Sequence, residues 1–123
     1  MRDMARAAKR RAKGNRRLLP RVSKASLKAM IEEATVDCYN ESEQLTGWFT
    51  MIEESLAVPF KTMVLGVPVT VERVDLNKSD QIVAICSRGR DRQPLPILDL
   101  PLPNPLPNGA EWIEAYRHWL SEG

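Results

Sequence analysis

Apolar positions along the chain fall into three regimes. From Leu27 they recur as Leu27, Ile31, Ala34, Cys38, Leu45, Phe49, Ile52 and Leu56. At 100° per residue these occupy about 60° of arc with one skipped turn, the signature of an amphipathic helix. The skipped turn holds Asn40, Glu41 and Ser42. The pattern therefore predicts one long helix, or two nearly collinear helices with a break near Asn40, a residue that tolerates local departures from helical backbone. Ser23 or Ser26 is placed to cap its start, and Val58-Pro59 ends it.

Between residues 60 and 100 the period shortens. The segments FKTMV (60–64), VPVTVERV (67–74), QIVAICS (81–87) and QPLPILDL (93–100) are short and rich in β-branched residues. Leu65-Gly66, the run 77–80 and the run 88–91 separate them as turn signals. Pro68, Pro94 and Pro96 belong at strand ends or sheet edges, because proline has no amide to give a ladder. Four short meandering strands predict a small SH3-like antiparallel β-barrel or a curled sheet. The proline-rich run 101–108 is an extended connector. A C-terminal helix over 109–121 follows, with Trp112, Tyr116 and Trp119 on one face. The whole predicts an α+β fold: a single domain over 23–123, preceded by a basic and flexible arm over 1–22. Trp48, Trp112, Trp119, Tyr39 and Phe60 are expected in the core or between helices.

Composition adds a charge asymmetry. The formal net charge is +2, yet residues 1–28 hold 11 Lys and Arg against one acid, a net of +10. Residues 29–123 hold 7 against 15 acids, a net of −8. Such a division suggests two electrostatic tasks. The arm, with Lys9, Arg10, Arg11, Lys13, Arg16 and Arg17, suits nucleic acid or another polyanion. It has no aromatic side chain for base stacking. The acidic remainder suits cations.

Catalytic chemistry finds little support. His118 is the one histidine, and near a helix end it suits the C-terminal dipole. Cys38 and Cys86 lie far apart and sit on apolar stripes, as core thiols do. They form no metal-binding or disulfide framework, which fits a reducing cytoplasm. No apolar run reaches the roughly 20 residues of a membrane span, and the basic N-terminus lacks a signal-peptide apolar segment. The expectation is a soluble cytoplasmic protein that is not an enzyme.

Carboxylates are the informative groups. Asp37-Cys-Tyr-Asn-Glu-Ser-Glu-Gln44 packs three acids and two carboxamides into eight residues. It reads either as solvated helix surface or as oxygen ligands for a hard cation such as calcium, which takes six to eight of them. On a continuous helix Asp37 and Glu41 share a face. Glu43 joins them only if the chain bends near Asn40. Glu53 and Glu54 lie further along, and Asp99 follows the last strand. Asp75-Leu-Asn77-Lys-Ser79-Asp80 has oxygen side chains at positions 1, 3 and 5 of an EF-hand loop. It lacks the glycine at position 6 and the glutamate at position 12. Asp75 and Asp80 therefore read as hairpin-turn residues that could serve as outer ligands.

The wording of residues 30–120 resembles the bacterial calcium-binding protein family of the CcbP type. The most specific matches are Asp37, Tyr39, Glu41, Glu43, Gln44, Gly47, Trp48, Leu56, Pro59 and Phe60. The resemblance implies an α+β domain with an SH3-like β portion. It also implies calcium binding through acidic side chains, foremost Asp37, Glu41 and Glu43, in a cytoplasmic buffer or sensor. The basic arm lies outside it.

Overall fold

The computed structural model describes residues 22–122; the arm proposed for 1–22 lies outside them except for Val22. The chain forms helix α1 (Lys24–Thr35), helix α2 (Glu41–Ser55), strands β1 (Phe60–Val64), β2 (Val67–Leu76), β3 (Ile82–Arg88) and β4 (Asp91–Pro96), a 3-10 turn at Ile97–Asp99, and helix α3 (Ala110–Glu122). Among the described residues, fold class and element order follow the sequence expectation, with three helices and one antiparallel sheet.

Two helices replace the single apolar stripe, and they are not collinear. Ser23 caps α1, its hydroxyl accepting the Ser26 amide at 3.1 Å. Asp37 (φ 59°) ends it. That is the left-handed position after a helix C-cap, where a short polar side chain is tolerated. Asn40 then caps α2, its side chain accepting the Glu43 amide at 2.9 Å. The chain turns so tightly that α2 crosses α1 at Gly47. A Cβ there would stand 2.1 Å from the Ala34 carbonyl oxygen, so only glycine permits this approach.

Four strands form an open meander in the order β1-β2-β3-β4, and no ladder joins β4 to β1. The sheet is therefore not closed into a barrel. Leu65 (φ 52°) and Gly66 (φ 77°) link β1 to β2 with both central residues left-handed. This is the two-residue turn whose twist suits a hairpin. Gly89 (φ 60°) leads the two-residue turn from β3 to β4. β2 carries a bulge between Val71 and Arg73. Pro94 and Pro96 lie on edge strand β4. Pro68 lies beyond the β2–β3 ladder, which begins at Thr70 opposite Ser87. The fourth strand stops at Pro96, four residues short of expectation, because the chain tightens into the 3-10 turn.

One face of the sheet packs against the helices. Val71, Val74, Ile82 and Ala84 meet Trp48, Ile52 and Leu56 of α2 and Ile113, Ala115 and Tyr116 of α3 in a single core. Trp48 is wholly buried and sits among Tyr116 (5.6 Å between ring centroids), Trp119 (5.7 Å) and Trp112 (6.3 Å). Leu100 and Leu102 pin the proline-rich connector over the sheet, where the Thr62 hydroxyl donates to the Pro101 carbonyl at 2.7 Å. The expectation of a buried Tyr39 fails: it is 86% exposed on the α1–α2 turn. Cys86 is a buried thiol, whereas Cys38 is only half-buried.

Candidate metal site

The oxygen-rich stretch 37–44 is first of all a helix stop followed by a helix start. Asp37 supplies the stop and Asn40 the start. Glu43 closes a reciprocal cap: its carboxylate accepts the Tyr39 amide at 2.6 Å while its own amide is held by Asn40. This is a capping box displaced by one residue. Glu41 and Glu43 fill the first turn of α2, where negative charge complements the helix dipole. Cys38 fits beneath, its thiol near the carbonyls of Val36 and Glu43, each at 3.4 Å.

This geometry removes one argument and meets another. Asp37 is not helical, so it does not share a helix face with Glu41. The bend near Asn40 that convergence with Glu43 required is present. Asp37, Glu41 and Glu43 thus project from one exposed turn. The sequence around them is acidic: residues 29–60 hold seven acids and no Lys or Arg. Such a stretch attracts cations over about a Debye length.

The remaining acids are dispersed. Glu53 and Glu54 are exposed in the last turn of α2, the helix end whose dipole favours a cation. Asp75 is exposed on β2, and its carboxylate accepts the following amide, that of Leu76, at 2.9 Å. The EF-hand-like run is organised by Asn77, whose side-chain oxygen accepts the Ser79 and Gln81 amides, each at 2.9 Å. Asp80 (φ 59°) makes the return bend there. Asp99 is exposed at the 3-10 turn. Among the described residues, no three His, Cys, Asp or Glu side chains are gathered where they could hold an ion. With Glu43 and Asn40 already accepting amides, the turn falls short of the six to eight oxygens calcium takes. The residues as arranged do not form a ready calcium cage.

Sequence reasoning did not single out two other acids with specific partners. Glu72 meets Arg92 Nε at 2.9 Å across the sheet. The Ser87 hydroxyl and the Arg92 guanidinium hold its carboxyl below the usual glutamate range. Glu114 Oε1 is buried without a hydrogen bond, 3.6 Å from the equally unbonded Arg117 Nε. Glu72 and Arg92 are 20 residues apart, and only the strand register brings them together. His118 pairs with Glu122 at 3.0 Å. The basic residues Lys9, Arg10, Arg11, Lys13, Arg16 and Arg17 lie outside the described residues.

Among the described residues, no helix is long and apolar enough to cross a membrane. No curated protein and no solved structure matches the chain. A family model described as calcium binding matches residues 28–120, which take in most of α1, all of α2 and the sheet, and nearly all of α3. By that match the chain belongs to the CcbP family of calcium-binding proteins, and calcium is the ion the family binds.

Proposed function

We propose that the protein is a low-affinity calcium buffer of the cytoplasm whose first ligands are Asp37, Glu41 and Glu43 in the α1–α2 turn. The observation that carries this reading is the calcium-binding family match over residues 28–120, taken with three exposed acids on the one turn of a stretch that holds no Lys or Arg. Glu53, Glu54, Asp75, Asp80 and Asp99 are a secondary, dispersed set that adds to the attracting field. An open turn suits weak and rapidly exchanging binding, because the ion keeps part of its water shell. The expected dissociation constant is about 10⁻⁵ to 10⁻³ M. We favour buffering over sensing, a reading that the close approach of Gly47 to the Ala34 carbonyl behind the turn supports, since a sensor needs a second packing for the ion to select.

Isothermal titration of the full chain against its Asp37→Asn, Glu41→Gln, Glu43→Gln triple variant tests the assignment. The triple variant is expected to lose at least about tenfold in calcium affinity, the equivalent of one ionic contact. Unchanged affinity would move the ligands elsewhere on the chain.

A further inference from the structure

The core-facing side of the sheet is longer than the helices that cover it. At the end that carries both two-residue turns it is open, and a cavity of about 290 Å³ lies between the β1–β2 and β3–β4 hairpins. Strand register explains most of its lining, Ser87 and Pro94 excepted. Cys86 pairs with Gln93, Ala84 with Leu95 and Arg88 with Asp91, so positions 86, 88, 91, 93 and 95 share one face by the period of two. That face also holds Val71, opposite Cys86. Val69 and Val64 continue it onto the first hairpin.

The lining is divided by chemistry. Val64, Val69, Cys86 and Leu95 make an apolar floor, while Arg88, Asp91 and Gln93 line it on the polar side. Arg88 and Asp91 are direct cross-strand partners, which sets their Cβ atoms about 5 Å apart. Yet among the described residues neither makes an ion pair, with the other or elsewhere. One cation, one anion and an amide therefore stand beside an aliphatic floor. The volume is at the lower limit of small-molecule pockets.

We propose that this cavity is a binding site for a free aliphatic α-amino acid of the leucine type. Its carboxylate faces Arg88, its ammonium faces Asp91, and its branched side chain lies on Val64, Val69 and Leu95. A zwitterionic head group carries both charges on one carbon, which is what adjacent cross-strand residues of opposite sign can read together. An aliphatic acid without the ammonium would leave Asp91 repelling it, and an aliphatic amine would meet Arg88 in the same way. The site is remote in sequence from the α1–α2 turn and does not depend on calcium.

The test is a two-dimensional amide NMR titration of the full chain with L-leucine, against 4-methylpentanoate and isopentylamine as single-charge analogues. Saturable shifts at Val69, Cys86 and Leu95 are expected with leucine, with a dissociation constant on the order of 10⁻³ M. Each analogue is expected to bind at least about tenfold more weakly, and Arg88→Gln or Asp91→Asn to weaken leucine by a similar factor. Both residues are exposed, so the variants keep the fold, which their unchanged amide spectra would verify. Absence of saturable shifts with leucine would overturn the proposal. So would equal binding of the three compounds, which would reduce the cavity to an unselective apolar recess.

Discussion

Glu43 joins the architecture of the α1–α2 turn to its chemistry, and two substitutions separate those roles. Its carboxylate accepts the Tyr39 amide at 2.6 Å, and it lies in the first turn of α2. Losing a helix cap costs about 0.5–2 kcal/mol. Losing a negative charge at the same end costs about 0.3–1 kcal/mol. Glu43 is exposed, so solvent screening places both costs in the lower half of their ranges. Glu43→Ala should then destabilise the calcium-free protein by about 1 kcal/mol. Glu43→Gln keeps an oxygen acceptor and loses only the charge, so it should cost about 0.5 kcal/mol. Calcium adds a second axis. With a dissociation constant of about 10⁻⁴ M, calcium at about 10⁻² M stabilises the native protein by about 2.7 kcal/mol. A tenfold weaker site halves that gain to about 1.4 kcal/mol. Urea unfolding with and without calcium reads both quantities on the same samples. Glu43→Ala as stable as wild type without calcium would refute the capping role. Glu43→Gln with the full wild-type calcium gain would refute the ligand role.

Gly47→Ala sets a helix-propensity gain of about 1 kcal/mol against a collision with a backbone carbonyl 2.1 Å away. A main-chain oxygen cannot rotate aside, so overpacking of about 3 kcal/mol should win. Thermal unfolding should show a net loss near 2 kcal/mol, and unchanged stability would contradict the crossing. Trp48→Ala, in the centre of the aromatic cluster, should cost about 3–5 kcal/mol by chemical unfolding. Glu72 should titrate by NMR below the ordinary glutamate range, and Arg92→Gln should return it toward that range. Because its folded pKa is depressed, its contribution to stability is complete above the unfolded value. It fades as pH falls through the lower folded value. Wild type and Arg92→Gln should therefore differ least in the most acidic unfolding experiments.

Most of the fold was legible because local signals agreed with one another. Leu65-Gly66 and Gly89 marked both two-residue hairpin turns, and Pro94 and Pro96 marked an edge strand. The helical hairpin was not legible from periodicity. Leu45, Phe49, Ile52 and Leu56 continue the phase of Leu27, Ile31 and Ala34, so one stripe conceals a reversal of direction. The signals that would have found it were Asp37 as a helix stop, Asn40 and Glu43 as a helix start, and Gly47 as a crossing point. Asp37 and Glu43 suggest ligands instead, since a side chain that caps a helix and one that binds a cation both offer oxygen. Tyr39 was misplaced for a related reason: aromatic character suggests burial, but the turn that carries it faces solvent. No spacing rule could have brought Glu72 to Arg92, because strand register alone sets that pair, whereas Arg88 and Asp91 flank the two-residue turn that Gly89 marks.

Calcium held by the acids of the α1–α2 turn would perturb the amides of that turn first. A two-dimensional NMR titration at physiological salt, with magnesium as the control ion, tests this most directly. Saturable, calcium-selective shifts centred on residues 37–43 are expected, with the strands largely unmoved. Equal responses to calcium and magnesium spread over every acidic surface would contradict calcium binding at the turn, since that is how a screened charge behaves and not a site.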